Sequence, residues 1–290
     1  MLILGHRGCI LKDQPYQNSL EAFKLANKLV DGIECDACLT ADNDVVFIHE
    51  EVTLSSKDKP LSSMPLYLDE ASTQKLSNRT LQEIDSDEVR SFRLKDGSSI
   101  PFFDDVAKLF HHNTKTWNIE LKGHGVTPFV IEKLEHQFKN GFIQPAQVVL
   151  SSFDHLALHE AAQKLPMVKI GAIFTAKVDV PKPLNPWRND AEGFYFPLTA
   201  ENLQRDTVQK LKPHFIIAPH TELNDPQMKL IQQQFKNSQL IVWVCGEYNN
   251  FSSVEFDKKL TKFANNQTLA TIIVDDIVKR QKWNPTTFMT

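Results

Sequence analysis

The chain of 290 residues lacks long apolar runs and any strong excess of charge of one sign. No apolar stretch approaches the roughly 20 residues that a membrane-crossing helix needs, so we expect no stable membrane insertion. The formal net charge of -4 gives none of the basic footprint of a nucleic-acid-binding protein, so no nucleic-acid partner is expected. The N-terminus shows no basic region followed by an apolar one, which makes cytoplasmic residence the expectation.

Cysteine is also scarce, and the four residues Cys9, Cys35, Cys38 and Cys245 are too scattered for a disulfide framework. Cys35 and Cys38 form a C-x-x-C pair, which invites a zinc or redox interpretation. In a strand, however, a spacing of three places the two sulfur atoms on opposite faces, and no second pair completes a zinc site. We therefore expect packing cysteines, with neither a disulfide nor bound zinc.

The chain does contain a regular alternation of short apolar strands with helical stretches, which is typical of parallel β/α architecture. The first helix is expected to begin near Asn18, whose side chain would cap it while Glu21 reaches back. The predicted strands are Leu2–Gly5, Gly32–Leu39, Val45–His49, Trp117–Lys122, Gln147–Ser151, Val168–Phe174, Phe215–Ala218, Leu240–Cys245 and Thr271–Asp275.

One connection between these strands is too short for a crossover. Leu39 and Val45 are separated by five residues, whereas a parallel return needs a dozen or more. The third strand should therefore fold back on the second as a hairpin, bringing His49 level with about Asp36. The remaining strands match the count of a TIM barrel, so the predicted fold class is α/β, a TIM (β/α)8 barrel.

Two stretches interrupt the alternation. Residues 51 to about 100 are rich in Ser, Asp and Lys, and we predict a small cap, inserted after the hairpin strand, that governs substrate choice rather than catalysis. Residues 177–200 contain four prolines and are predicted to form a long loop. We treat residues 1–290 as one barrel domain that carries this cap.

The tip of the first strand carries His6 and Arg7 between two glycines. Arg presents a planar fork of donors that matches phosphate oxygens, and His can transfer a proton near neutral pH. The flanking glycines would let the backbone approach a ligand closely. The tip is therefore predicted to hold an anion.

Carboxylates recur on one face of two buried strands. Glu34 and Asp36 share a face of the second strand, and Asn118, Glu120 and Lys122 share a face of the fourth. Carboxylates that converge in a barrel repel each other unless a cation or a proton lies between them. A hard divalent ion with oxygen ligands would satisfy them, and a buried salt-bridge network with Lys122 and the arginine of the first strand tip is the alternative.

Two histidines, His6 and His49, are predicted to flank this acidic cluster. Two imidazoles beside a divalent metal and two cationic side chains suit the cleavage of a phosphodiester. One imidazole would take a proton from the nucleophile and the other would protonate the leaving alcohol. The cations would neutralise charge on the phosphoryl oxygens.

These motifs resemble the glycerophosphodiester phosphodiesterase family. The early part of the resemblance comprises Gly5-His-Arg-Gly8, Asn18-Ser-Leu-Glu-Ala-Phe23, Gly32-Ile-Glu-x-Asp36, Thr40-x-Asp42 and Val46-x-x-His49. The later part comprises Asn118-Ile-Glu-Leu-Lys122, Ser151-Ser-Phe153, Trp243 and Val274-Asp275-Asp276. The resemblance spans nearly the whole chain, and its first half is the more specific.

The resemblance implies a TIM barrel with an inserted cap and the hydrolysis of a small-molecule glycerophosphodiester to glycerol 3-phosphate and an alcohol. It also implies one divalent cation, Mg²⁺ or Ca²⁺. Carried over by position, the catalytic pair is His6 and His49, the metal ligands are Glu34, Asp36 and Glu120, and the phosphate-contacting cations are Arg7 and Lys122.

The chain departs from the family pattern at several positions near the site. Glu50 follows His49 where the family has Asp, Gln17 stands where Glu is common, and Gly246 replaces an Asn. These departures affect the expected substrate pocket more than the chemistry. The head group, the metal used in the cell, the assignment of acid and base, and the oligomeric state are left open.

Two other functions compete with hydrolysis to glycerol 3-phosphate. One is a phospholipase C-like phosphodiesterase, in which a neighbouring substrate hydroxyl attacks and a cyclic phosphate forms. The other is a non-catalytic phosphodiester-binding barrel. The two histidines and three acids argue against the binding barrel, because binding alone needs no pair of proton-transfer groups.

Overall fold

A computed structural model describes residues 1–9, 16–54, 60–176, 195–244, 258, 260–263 and 268–275. Its strands are β1 Leu2–Gly5, β2 Gly32–Leu39, β3 Val45–Phe47, β4 Val52–Leu54, β5 Pro60–Ser62, β6 Thr116–Leu121, β7 Val148–Ser152, β8 Lys169–Ile173, β9 Phe215–Pro219, β10 Gln239–Val244 and β11 Leu269–Val274. All the predicted strands are present, and none of their bounds differs from the prediction by more than two residues. Cys245 and the proline-rich residues 177–194 lie outside the described residues.

Eight parallel strands close into a barrel, which confirms the predicted fold class. The order around the barrel is β1, β11, β10, β9, β8, β7, β6 and β2, and β2 pairs again with β1. β3 runs antiparallel to β2 at Ala37↔Phe47, so the predicted hairpin is present. The carboxyl ends of the parallel strands meet at one rim, which is where the polar side chains of a TIM barrel collect.

Helices surround the barrel and also build the segment that follows the hairpin. The α-helices are α1 Leu20–Leu29, α2 Glu70–Leu76, α3 Ser86–Ser91, α4 Phe103–Ala107, α5 Thr127–Lys139, α6 His155–Lys164, α7 Ala200–Leu203, α8 Asp206–Leu211 and α9 Asp225–Gln234. Short 3₁₀ helices cover Met64–Leu66, Leu81–Glu83, Lys108–Phe110, Pro145–Gln147 and His220–Glu222. None of the described helices combines the length and the apolar character that a bilayer crossing requires.

The N-cap of α1 differs from the sequence prediction. Ser19 is the cap, and its side chain accepts a hydrogen bond from the backbone N–H of Ala22. Asn18 precedes it in a left-handed conformation (φ 53°) and points into the barrel rim instead. Glu21, which was expected to reach back to the cap, pairs with Lys24 on the surface. Asn and Ser are both favourable N-cap residues. The Asn18 side chain donates a hydrogen bond to Asp36 at the barrel rim, so Ser19 caps the helix.

The largest apolar cluster fills the layer between the barrel and its helices. Trp117 on β6 stacks on Phe110 with ring centroids 4.8 Å apart, and it packs against Phe103 and Phe47 as well. A smaller cluster lies inside the barrel and forms the floor beneath the rim. Its aliphatic residues come from six of the barrel strands, namely Leu4, Val149, Ile173, Ile217, Ile241 and Ile273.

The segment predicted as a cap has its own apolar cluster. β4 and β5 form a two-stranded antiparallel sheet, and α2, α3 and two 3₁₀ helices follow it. Their buried side chains, including Met64 and Phe92, pack on the outer side of the β2–β3 hairpin. Cys38 belongs to this cluster, whereas Cys35 belongs to the main one, and both are free thiols. The opposite-face geometry predicted for this pair is therefore present, while the domain boundaries stay a prediction.

Candidate active site

The first strand ends in a tight turn that presents His6 and Arg7 at the barrel rim. The Gly8 backbone N–H donates to the carbonyl of Gly5 over 3.2 Å, and Arg7 adopts a φ of 51°. A Cβ added at Gly8 would lie 2.7 Å from the backbone of Ala22. The glycine therefore permits close packing of the turn on α1. Close approach of a ligand to this turn stays a prediction.

Closure of the barrel brings the end of the last strand beside this turn. Gly5 pairs with Val274, and the His6 N–H donates to the Val274 carbonyl over 2.9 Å. Asp275, the next residue, places its carboxylate 2.5 Å from Nδ1 of His6. On the other side of the ring, Nε2 lies 3.9 Å from a carboxylate oxygen of Glu34. The imidazole is therefore held between two acids that come from different strands.

The three predicted metal ligands converge as expected. Asp36 on β2 pairs with Glu120 on β6, and Glu34 pairs with Asn118, so the acids lie on neighbouring strands with matched register. One oxygen of each carboxylate lies within 4.8 Å of the other two. Asn118 accepts a hydrogen bond from Ser151 on β7 and lies beside them, which extends the polar rim by one strand.

The pKa values of these three carboxyl groups shift in different directions. Burial raises the pKa of Glu34, and the neighbouring charge of Asp36 raises it further. Burial likewise raises the pKa of Glu120 above its ordinary value. Burial opposes the charged form of Asp36 too, but His49 and nearby cations outweigh it and lower that pKa. Without a further cation, the surroundings therefore favour the charged form of Asp36 and disfavour the charged forms of Glu34 and Glu120.

Arg7 and Asn18 account for most of the polar contacts of Asp36. The Arg7 guanidinium Nε lies 3.2 Å from Oδ2 of Asp36, and the Asn18 amide donates to the same oxygen over 2.8 Å. A second guanidinium nitrogen donates to the side-chain oxygen of Gln17 over 2.6 Å. Gln17 is neutral where the family commonly has Glu, and it still orients Arg7. The backbone N–H of Arg7 donates to Glu34 over 3.0 Å.

Lys122 follows β6 and reaches the cluster from the opposite side. Its Nζ lies 3.5 Å from Glu120, 3.7 Å from Glu51 and 3.9 Å from Asp36. Burial would lower the pKa of this ammonium, but Glu120 and its other acidic neighbours raise it well above the ordinary value. Lys122 is therefore a buried permanent cation at the position where the sequence predicts a phosphate contact.

His49 completes the set, at the end of the hairpin return. The Ile48 N–H donates to the Asp36 carbonyl over 3.1 Å, so Ile48 lies level with Asp36 and His49 lies one residue beyond the predicted register. Nδ1 of His49 lies 2.9 Å from the hydroxyl of Tyr67, and Nε2 lies 3.5 Å from Glu51. Burial lowers the pKa of this imidazole, and Lys122 lowers it further, so His49 is neutral near pH 7.

A cavity of about 100 Å³ opens beside Glu120 and Lys122, between the segment after the hairpin and the loops that follow β6 and β7. Glu51 and Phe153 line it, together with Tyr195. Tyr195 and Phe153 pack with ring centroids 4.6 Å apart. The lining of this cavity therefore combines charged and aromatic side chains next to the acidic cluster.

Several site residues carry no role that the sequence alone assigns. In the sequence, Asp275 appears only as part of a motif. Because the first and last strands of a closed barrel pair with each other, the residue after the last strand could have been predicted to lie beside His6. The sequence indicates Asn18 only as a helix cap. Tyr67 and Glu51 give no signal, because their contacts depend on how the segment after the hairpin folds back onto the rim.

The donor set fits a hard divalent cation. Three carboxylates face two cations, Arg7 and Lys122, and both of these contact Asp36. Ion pairing of the kind considered as the alternative is thus present at Asp36. For Glu34, the contacts seen within the described residues are the backbone N–H of Arg7 and the imidazole of His6. Oxygen ligands in a cluster with unbalanced negative charge are the ligands that Mg²⁺ and Ca²⁺ prefer.

Comparison with known proteins gives one consistent picture. The Glycerophosphoryl diester phosphodiesterase family matches residues 6–214. A relative named glycerophosphodiester phosphodiesterase, from Caldanaerobacter subterraneus subsp. tengcongensis, is 30% identical over 175 residues, which cover 60% of this chain and 66% of that relative, just under two thirds of its length.

Solved structures show the same fold across the whole chain. The glycerophosphodiester phosphodiesterase of Thermotoga maritima has a TM-score of 0.60 at 20% identity and covers 98% of both chains. A phosphodiesterase from Oleispira antarctica, solved in complex with the product sn-glycerol-3-phosphate, has a TM-score of 0.63 at 17% identity over 100% of this chain and 97% of that one.

Proposed function

The chain belongs to the Glycerophosphoryl diester phosphodiesterase family, a family of phosphodiester hydrolases, and from that premise we propose that it cuts glycerophosphodiesters to glycerol 3-phosphate and an alcohol. The reaction uses one divalent cation, Mg²⁺ or Ca²⁺, held by Glu34, Asp36 and Glu120. Hydrolysis takes place in the cytoplasm on a small-molecule substrate, without a nucleic-acid partner.

The observation that carries this proposal is the convergence of three carboxylates whose oxygens lie within 4.8 Å of one another, with Nε2 of His6 3.9 Å from Glu34 and with His49 near enough to Asp36 to lower its pKa. A structural ion-pair network needs no imidazole on either side. A phosphodiester, in contrast, needs charge neutralisation at its centre and proton transfer at both ends. The product-bound relative from Oleispira antarctica supports glycerol 3-phosphate as the product.

His6 and His49 have different hydrogen-bond partners, and these suit different roles. Nδ1 of His6 donates to the Asp275 carboxylate at 2.5 Å, which leaves Nε2 with a lone pair on the side of the acidic cluster. This arrangement suits a general base, and the carboxylate stabilises the imidazolium that forms. His49 is the acid that protonates the departing alcohol.

The cations act on the phosphoryl oxygens. The bound divalent ion supplies Lewis-acid stabilisation of the charge that develops there. Arg7 and Lys122 enter the same space from opposite sides and are held there by Asp36 and Glu120. Their charges stabilise the transition state more strongly than they would in water, because both side chains are largely removed from solvent.

The experiment that tests the proposal measures glycerol 3-phosphate release from glycerophosphocholine and glycerophosphoethanolamine with added Mg²⁺ or Ca²⁺. Glu120→Gln is the test variant. Glu88→Gln is the matched control, because that carboxylate pairs with Arg79 at the surface, outside the acidic cluster. We expect metal-dependent turnover that Glu120→Gln abolishes and Glu88→Gln retains. Full activity after exhaustive chelation would contradict the role given to the metal.

The same samples distinguish the competing functions by phosphorus NMR. Hydrolysis by water gives glycerol 3-phosphate directly. A cyclic phosphate as the final product would replace the proposal by the phospholipase C-like route. Saturable binding of the diester with no turnover under any metal condition would replace it by the binding barrel.

A further inference from the structure

The His49 imidazole contacts Tyr67 as well as Glu51. Tyr67 belongs to the segment after the hairpin and not to the barrel. It follows the 3₁₀ helix Met64–Leu66, and its hydroxyl lies 2.9 Å from Nδ1 of the imidazole. The two rings also pack edge to face, with centroids 5.9 Å apart and an interplanar angle of 78°. A hydrogen bond and a ring contact together fix both the rotation and the tilt of the imidazole.

The backbone of Tyr67 is held at both of its polar groups. Its N–H donates to the Met64 carbonyl over 2.9 Å, and its own carbonyl accepts from the N–H of Lys95 over 3.0 Å. The side chain packs against the apolar cluster beneath the segment. The phenol is therefore presented to His49 from a fixed base, which a positioning role requires.

The direction of the hydrogen bond follows from the partners of the phenol. Burial raises the pKa of Tyr67, so the hydroxyl keeps its hydrogen near neutral pH. Within the described part of the chain, His49 is its one hydrogen-bond partner. If the imidazole donated instead, that hydroxyl hydrogen would have no acceptor among these residues. The phenol therefore donates to Nδ1, and a neutral His49 carries its own hydrogen on Nε2.

The hydrogen on Nε2 faces the reaction space. Nε2 lies 3.5 Å from a carboxylate oxygen of Glu51, and the same oxygen lies 3.7 Å from Nζ of Lys122. An acceptor atom placed between an imidazole N–H and a buried ammonium has the surroundings that a leaving alkoxide oxygen needs. Glu51 is 40% exposed, so a substrate can displace its carboxylate from this position.

We propose that Tyr67 is a positioning residue, whose phenol donates to Nδ1 of the neutral His49 imidazole and keeps the hydrogen on Nε2 directed at the leaving oxygen. When the leaving alkoxide takes that hydrogen, the phenol hydrogen passes to Nδ1, so the imidazole stays neutral and the negative charge ends on the Tyr67 oxygen. The tautomer does not depend on the proposed function, whereas the proton transfer rests on it. The segment after the hairpin thereby contributes to proton transfer in addition to forming one wall of the cavity.

The first test reads the tautomer without any substrate. Nitrogen-15 NMR of imidazole-labelled protein, with His49→Gln to assign the ring, should show Nε2 protonated and Nδ1 unprotonated. Tyr67→Phe should change this pattern. Tyr16→Phe is the matched control, because its phenol donates to the Leu66 carbonyl and not to an imidazole, and it should leave the pattern unchanged. A proton on Nδ1 in the unaltered protein would overturn the inference.

The second test is kinetic. Tyr67→Phe should lower kcat for a glycerophosphodiester by about tenfold or more with KM nearly unchanged, a part of the hundred- to ten-thousandfold that a general acid contributes. A nitrophenyl diester, whose leaving group needs no proton, should recover most of the loss. In a His49→Ala background, Tyr67→Phe should cost nothing further, because the phenol acts through the imidazole.

These outcomes separate the inference from the proposed function. An equal loss from Tyr67→Phe with and without His49 would overturn the positioning role while leaving the hydrolase intact. An unaltered protein that turns over no glycerophosphodiester would refute the proposed function, and the NMR result would still decide the tautomer.

Discussion

Neutralising one of the proposed metal ligands should stabilise the metal-free protein. Glu34 is 4% exposed and lies beside two other carboxylates, so its charged form is disfavoured by burial first and by Asp36 second. In Glu34→Gln the amide oxygen can still accept the hydrogen bond that Arg7 donates from its backbone. The new amide N–H groups face carboxylate oxygens, which are acceptors. The substitution therefore removes a charge without leaving a buried group unpaired.

The sign and the scale of the effect follow from the raised pKa of Glu34. A raised folded-state pKa means that the folded protein binds more protons than the unfolded chain, so stability falls as pH rises from the ordinary value near 4.5 towards neutrality. Each pH unit corresponds to about 1.4 kcal/mol, so the interval from the ordinary value of 4.5 to pH 7, which lies below the raised pKa of about 8, sets a scale of roughly 3 kcal/mol. Allowing for relaxation, we expect Glu34→Gln to raise Tm by about 2–5 °C.

Asp36→Asn is the matched control and should have the opposite sign. Burial disfavours the Asp36 charge, but His49, Arg7 and Lys122 outweigh burial and lower its pKa, so this carboxylate stabilises the folded state above its ordinary pKa. That stability is lost as pH falls through the folded value. The asparagine variant should unfold at lower temperature than the unaltered protein, because two buried cations lose a partner.

Calorimetry at pH 7 with an excess of chelator, repeated with Mg²⁺ or Ca²⁺, measures both effects. The unaltered protein should gain stability when the ion is added, and Glu34→Gln should lose most of that gain together with activity. If Glu34→Gln and Asp36→Asn lower the chelated Tm by similar amounts, the acidic cluster carries no electrostatic cost and the reasoning from burial is wrong.

Four further substitutions test other parts of the structure. Burial lowers the pKa of His155 to about 4, so the free energy of unfolding should fall by roughly 3 kcal/mol as pH drops from 6.5 to 4. Calorimetry across that range should show a smaller fall for His155→Phe. Lys122→Met should reduce kcat by about a hundredfold while calorimetric titration shows tighter Mg²⁺ binding, because a cation beside the ligands is removed. Glu50→Ala should cost about 1–3 kcal/mol in denaturant unfolding, since its carboxylate accepts from Ser62 and Leu81. Gly32→Ala should yield little soluble protein, because the added Cβ would lie 1.9 Å from a backbone oxygen of β6.

Much of the barrel could be predicted because strand spacing and side-chain alternation are local properties. The five-residue connection between Leu39 and Val45 excludes a crossover, whatever the rest of the chain does. Alternation along β2 and β6 places Glu34, Asp36 and Glu120 on one face, and the structure puts these residues in matched register. Because side chains alternate between the two faces of a strand, knowing which face is buried fixes the face of every residue in that strand.

What could not be predicted depends on contacts between distant segments. Asn18 and Ser19 are both good helix caps, and only the position of Asp36 in the folded barrel recruits one of them to the site. His49 is predicted level with about Asp36, and the structure places Ile48 there with His49 one residue beyond, because the sequence of the turn does not fix the register to a single residue. Local patterns carry no information that distinguishes these outcomes.

The segment after the hairpin contacts one of the two histidines that are proposed to transfer protons. It is predicted to govern substrate choice rather than catalysis, and among the described residues it supplies two side chains that contact the His49 imidazole, Tyr67 at Nδ1 and Glu51 at Nε2. If His49 transfers a proton as proposed, the segment serves catalysis as well. The buried carboxylate of Glu50 also joins the hairpin to this segment. Exchanging the whole segment with that of a relative would therefore alter proton transfer and substrate preference together. An exchange that retains Glu50, Glu51 and Tyr67 separates the two, because it replaces the other residues that line the cavity while the imidazole keeps its orientation.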